Sequence, residues 1–301
     1  MTWFFIALIA PFLYTCANHT DKYLISKHLK GGQVGSLIIF SSFFSVVALP
    51  VVIFFHPDVF AVSLGQAIAL AVNGMLIVLS VLFYFYALRH DDASAVVPFY
   101  QTIPVFAFAL GYFFLGETVS ASQATASLFI ILGALALSLN VSGGKGWFKK
   151  EVAVLMLGAS LLYAVNGIVF KFIALDEGFW VSTFWGLVGK ILFGVIFLLF
   201  VPSYRNQFFA MVRENNFTVL GLNSLSETMF IVGEGVTQYA TLLAPVALVL
   251  LVNSFQPVFV FLSGAALTLF LPRISKESLE LKVLAQKFLG IGLVVAGSYF
   301  L

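Results

Sequence analysis

The chain is written as a succession of apolar runs of about 20 residues broken by short polar turns, and that pattern leaves few folds open. A helix needs about 20 apolar residues, within a range of about 17–25, to cross the hydrocarbon of a bilayer. On that ruler ten spans are expected: Trp3 to Thr20, Gly35 to Phe55, Leu64 to Leu88, Ala93 to Leu115, Gln123 to Val141, Val152 to Ala174, Phe179 to Val201, Phe217 to Ala240, Pro245 to Leu271 and Val283 to Leu301. Composition agrees, with 61% apolar and 9% charged residues and a mean hydropathy of +1.07. A soluble domain carries about 25% charged residues. The expected class is therefore an all-α integral membrane protein with ten transmembrane helices.

The same numbers exclude several functions. A net charge of +2 gives no electrostatic footprint for nucleic acid. A single cysteine, Cys16, rules out an internal disulfide or a thiolate cluster. The histidines at 19, 28, 56 and 90 lie scattered near span ends, so no metal site is expected. Ser142 to Trp147, SGGKGW, lacks the spacing and the following hydroxyl of a phosphate-cradling loop, and no cofactor is expected. Trp3 to Ala17 has no basic leader and no small-residue cleavage site, and reads as a retained span.

The chain also writes itself twice. Tyr239-Ala240 answers Tyr86-Ala87, and Pro257-Val258-Phe259 answers Pro104-Val105-Phe106, each 153 residues later. Leu162-Tyr163 with Lys171 answers Leu13-Tyr14 with Lys22 at an offset of 149. A fixed offset near half the length signals internal duplication. The expected division is a first repeat at 1–141, a Gly-rich basic linker at 142–150 and a second repeat at 151–301. Five spans per repeat is an odd number, so the second copy enters the membrane from the opposite side. Inverted repeats with a site between them recur in secondary transporters.

Basic residues suggest an orientation. Of the 15 Lys and Arg residues, all but Lys171 and Lys190 fall in or beside the odd-numbered loops. Cytoplasmic loops carry the excess of Lys and Arg. The odd-numbered loops are therefore expected in the cytoplasm and both termini outside, in a multi-pass protein of the plasma or inner membrane.

Taken together, the YFYAL turn at Tyr84 to Leu88, A-x-x-V-x-P early in span four, LGET at Leu115 to Thr118 and the later Gln123 and Gly133 resemble the EamA module of the drug/metabolite transporter superfamily. The likeness covers essentially the whole chain. Its second copy departs at Leu271-Pro272-Arg273-Ile274, where LGET would stand, and an insertion delays the closing QKFLGIGLVVAG of Gln286 to Gly297. The resemblance implies a carrier for small metabolites, often an exporter, driven by a gradient without ATP, with a central cavity lined by both repeats. Relatives with both termini in the cytoplasm run against the basic-residue count.

Polar groups at membrane depth cost a few kcal/mol each and usually face protein or water. Asn223, Glu227, Glu234 and Gln238 on span eight lie within about 60° of arc at 100° per residue. They form either a cavity wall that takes a proton or cation, or a structural stripe. The glycines at 233 and 235 allow close approach or local unwinding beside Glu234. Lys190, in the middle of span seven, needs a partner, with Glu227 and Glu234 the nearest choices; the pair either switches or is fixed. Tyr14 and Asn18 share a face of span one, with Tyr163 and Asn166 as rough counterparts on span six, and interfacial capping is the plainer reading. Gln101 and Pro104, with Asn253, Gln256 and Pro257, mark two matched broken helices that either bind ligand or merely kink. Glu117 and His19 read as boundary residues.

The expected function is a secondary-active permease or exporter of small metabolites such as amino acids, nucleosides or drugs, acting at a midplane site built by spans one, four, six, eight and nine. The expected partners are a small-molecule substrate, the lipid bilayer and a coupling proton or ion, and the expected state is a monomer. A flippase for a lipid or lipid-linked sugar would use the same fold. An intramembrane enzyme would need a nucleophile or metal ligands at depth, and the sequence supplies neither. A channel would need a ring of like charges or a repeated filter.

Overall fold

The computed structural model describes residues 2–27, 34–90, 96–138, 149–214, 217–270 and 281–301. Among them the chain is helical, with short turns and no strand. The long helices are α1 (Thr2–Lys27), α2 (Val34–Phe55), α3 (Leu64–His90), α4 (97–115), α5 (Ala121–Ser138), α6 (Lys150–Glu177), α7 (Phe179–Phe200), α8 (Phe217–Leu243), α9 (246–270) and α10 (Leu281–Tyr299). A shorter helix, Pro202–Glu214, joins α7 to α8. The linker expected at 142–150 lies outside the described residues except for Lys149 and Lys150, as do Ala93 to Ala95 of span four.

By length and apolarity, seven helices among the described residues qualify to cross a membrane: α2 to α7 and α9. That measure does not reach the ten expected crossings. Two of the remaining helices, α1 and α8, hold the polar residues Asn18, His19 and Asp21, and Asn223, Glu227, Glu234 and Gln238, which lower their apolarity. In α10 the apolar stretch, Val283–Tyr299, is short. Phe54, Phe113 and Phe200 are 80%, 78% and 76% exposed, and such outward apolar bulk suits lipid as solvent.

Two expectations about local structure are corrected. Residues 202–214, read from sequence as loop, are helical. Tyr204 and Met211 are buried, Phe208 packs beside Tyr204, and Gln207 accepts from the Gly35 amide at 3.1 Å. The apolar side chains recur at a helical spacing over a stretch too short to cross. In addition, α8 runs unbroken from Phe217 to Leu243, so its glycines do not unwind it. Gly233 serves close approach: a Cβ there would stand 2.7 Å from the Tyr14 ring.

Proline sets the breaks in α4 and α9. Each has a 3₁₀ stretch, Val97–Thr102 or Asn253–Phe255, just before the α-helical segment that carries Pro104 or Pro257 at its second residue. Proline offers no amide and its ring crowds the carbonyl one turn earlier, so the helix winds differently ahead of it.

Helix pairing decides where a site can form. The longest contacts run α1 along α8, α3 along α6 and α7, and α5 along α10, while α4 packs on α6 and α9. Small residues let the backbones touch. A Cβ on Gly189 would lie 1.8 Å from the Ala71 carbonyl oxygen, and one on Gly74 2.0 Å from that of Gly186, so α3 and α7 meet backbone to backbone. Gly133 and Gly290 do the same for α5 and α10. By contrast α8 barely touches α2.

Candidate functional site

The middle of α7 and the second half of α8 bring opposite charges together. Lys190 donates to the Glu234 carboxylate as an ion pair, with the two side chains 12% and 18% exposed. One turn on, the Gln238 amide donates to the other Glu234 oxygen at 3.4 Å. A cavity of about 30 Å³ adjoins the pair, walled by Asn73, Asn166, Ser182, Thr183 and Gly235, and enough for one or two waters. Asn73 and Asn166 fix each other across α3 and α6: each side-chain amide donates to the other residue's backbone carbonyl, at 3.1 and 3.0 Å. That leaves Asn73 Oδ1, with the Ser182 and Thr183 hydroxyl oxygens, buried without a protein partner.

Glu227 lies seven residues before Glu234 and accepts from Ser41 of α2 at 2.7 Å. Asp21, at the far end of α1, accepts from Ser226 at 2.6 Å. Glu227 is near enough to Asp21, Lys190 and Glu234 to feel their charges. Along this one face of α8 the partners change: Glu234 and Gln238 meet α7, Glu227 two turns earlier meets Ser41 of α2, and Asn223 is buried.

A second cluster lies where α1, α4, α6, α8 and α9 converge. Tyr14, Tyr163, Thr237 and Asn253 come near enough there for their polar groups to interact. Gln101 accepts from Ser254 at 2.6 Å, both residues buried. Asn18 lies within the arc of Ala7, Pro11 and Tyr14 at 100° per residue, yet it is exposed, so that face opens there and the structure does not join Asn18 to Tyr14. Gln256 is half-buried beside Pro257.

At one end of the bundle, Lys171 pairs with Glu117 at 2.6 Å and donates to the Ala244 carbonyl at 2.8 Å. The other Glu117 oxygen accepts from the Val246 amide at 2.8 Å, satisfying the free N-terminus of α9. Gly116 makes this possible, ending α4 in the left-handed conformation at φ 64°. Glu117 sits in the turn after α4, as expected of a boundary residue, and in addition links the two halves. His19 also has a partner, Ser263, at 2.7 Å.

Sequence reasoning missed Asn73, Ser182, Thr183 and Ser41. Asn73, an amide inside an apolar run, was the available signal; short hydroxyl side chains near helix ends carry none. Among the described residues no group of His, Cys, Asp and Glu side chains converges as a metal site.

Comparison with known proteins agrees with this architecture. Residues 1–139 match the model of the EamA-like transporter family. No curated protein matches the chain. A solved crystal structure of another protein, 15% identical, aligns over 99% of this chain and 96% of its own with a TM-score of 0.65, a likeness of fold alone. Over residues 1–139 the chain is thus similar to the EamA-like transporter family, and its helices long and apolar enough to cross a bilayer make it a multi-pass membrane protein.

Proposed function

We propose that the protein is a secondary-active permease or exporter of small metabolites, with ten crossings arranged as two inverted five-helix repeats and a site near the midplane around Lys190 and Glu234. The observation that carries this reading is the buried ion pair beside a cavity lined with unpartnered polar atoms. Charge and open hydrogen-bonding capacity at membrane depth are costly, and transport sites are where chains retain them.

Contacts between matched positions support the repeat. Tyr14 lies near Tyr163, its counterpart by the 149-residue offset, and Gln101 bonds Ser254, separated by 153. Asn73 donates to the Asn166 carbonyl, and the same two offsets map that contact onto Ser226 and the Ala17 carbonyl, 3.5 Å apart. Helix pairs match too, α1 with α8 answering α6 with α3. One pair breaks the symmetry. The α3–α7 contact is shut backbone to backbone, whereas its counterpart α8–α2 is nearly parted. Unequal halves of a symmetric scaffold suit alternating access, in which the closed and open interfaces exchange.

The test is uptake or efflux in vesicles, using a ligand drawn from a thermal-stabilisation screen of amino acids, nucleosides, sugars and cationic drugs. Glu234→Gln and Lys190→Met are expected to abolish transport and Glu227→Gln to reduce it. Transport unchanged in all three overturns the site.

A further inference from the structure

We propose that the cavity walled by Asn73, Ser182, Thr183 and Glu234 binds a small monovalent cation, Na⁺ foremost, which takes the place of the Lys190 ammonium on Glu234. This rests on the reading of Lys190 and Glu234 as the transport site, and it names the coupling ion.

Three independent observations converge. Unpartnered oxygens come first. Asn73 and Ser182 are 3% and 1% exposed, and Asn73 Oδ1, Ser182 Oγ and Thr183 Oγ1 have no protein partner. Buried polar atoms in native folds rarely stay unsatisfied. The Asn73 amide nitrogen is committed to the Asn166 carbonyl, so the end turned free is the acceptor, which calls for a donor or a cation.

The second is the kind and charge of these ligands. All four groups present oxygen, as hard cations require, and neither sulfur nor imidazole lines the cavity. One carboxylate balances one positive charge. The ammonium fills that role in the present arrangement, and a monovalent ion in its place keeps the site neutral. A divalent ion would leave an uncompensated charge in a low dielectric. At about 30 Å³ the cavity in the present arrangement has room for an ion with a water.

The third is a place for the displaced ammonium. Glu227 lies seven residues away on the same face of α8, about 10 Å along the axis at 1.5 Å per residue, and near enough to interact with Lys190. Among the described residues no basic side chain forms an ion pair with Glu227. A swing of the long lysine side chain from Glu234 to Glu227 frees the oxygen set for the ion and keeps both carboxylates balanced.

The experiment is thermal stability of the purified full-length protein titrated with NaCl, replacing choline chloride at constant ionic strength, with KCl and LiCl as parallel arms. A saturable rise in Tm with Na⁺ or Li⁺ is expected, absent with choline. Ser182→Ala and Thr183→Val, each removing one oxygen, are expected to raise the half-saturating Na⁺ concentration about tenfold, and Glu234→Gln to abolish the response. Lys190→Met removes the tethered competitor and is expected to lower the half-saturating concentration, a gain that general loss of structure does not produce. Equal responses to Na⁺ and choline overturn the proposal and leave the cavity to water. A Na⁺ response unchanged by Ser182→Ala, Thr183→Val and Lys190→Met overturns it too, placing the ion elsewhere. Transport that needs Glu234 and Lys190 but runs equally in sodium and choline media removes the coupling ion and leaves the transport site standing. Transport indifferent to Glu234→Gln removes the transport site itself.

Discussion

Lys190 and Glu234 hold each other with side chains only 12% and 18% exposed, so they respond to mutation as a unit. Removing one partner from a buried pair costs about 3–5 kcal/mol, because it strands a charge, whereas replacing both by neutral groups is often tolerated. Glu234→Gln alone is expected to lower the Tm of the purified protein strongly. Glu234→Gln combined with Lys190→Met is expected to recover much of that loss in the same thermal scan, while transport stays absent. Recovery of transport along with stability would make the pair a structural clasp. The sequence showed both charges and their candidate partners, because a lysine inside an apolar run must be paired. It could not choose between Glu227 and Glu234, since both lie on one face of α8. The choice falls to α2, whose Ser41 reaches Glu227 from the other side.

Among the helices, the α3–α7 seam is the most exacting contact. A Cβ at Gly189 would meet the Ala71 carbonyl at 1.8 Å, and backbone cannot give way as a side chain can. Gly189→Ala is expected to cost at least about 1–3 kcal/mol by overpacking, read as a fall in Tm. Gly221→Ala on α8 is the control: nothing lies within 4 Å of its Cβ, and the better helix former adds up to about 1 kcal/mol. The Glu117 link is a second seam, and Glu117→Gln is expected to loosen the α4–α9 end, seen as faster labelling of a single cysteine placed beside Val246. The positions of the long helices and the proline breaks were legible in sequence, because apolar run length and the missing proline amide act locally. The Lys171–Glu117 pairing was not, since it depends on how the two halves dock. The helix at Pro202–Glu214 escaped for a different reason: it is amphipathic and short, so a search tuned to membrane-length runs passes over it.

At the scale of the whole molecule, duplication was the strongest signal in the sequence, and the proposed repeat predicts the contacts seen between positions 149 and 153 residues apart. What sequence could not show is that two helix pairs matched in the proposed repeat pack unequally, with α3 shut on α7 and α2 nearly free of α8. Orientation is a separate matter of charge. With Cys16 replaced, single cysteines in the loops between spans three and four and between spans five and six are expected to resist impermeant reagents in intact cells; labelling there would reverse the assignment. The claim on which the account turns is that one site faces the two sides in alternation. Paired spin labels, one pair spanning α3 and α7 and another spanning α2 and α8, measure it most directly in the reconstituted protein. The expected result is two populations in each pair, with a short α3–α7 distance accompanying a long α2–α8 distance and the reverse, and a ratio that shifts in the Glu234→Gln, Lys190→Met double variant. A single unchanging distance in both pairs, with and without the stabilising ligand, would contradict it.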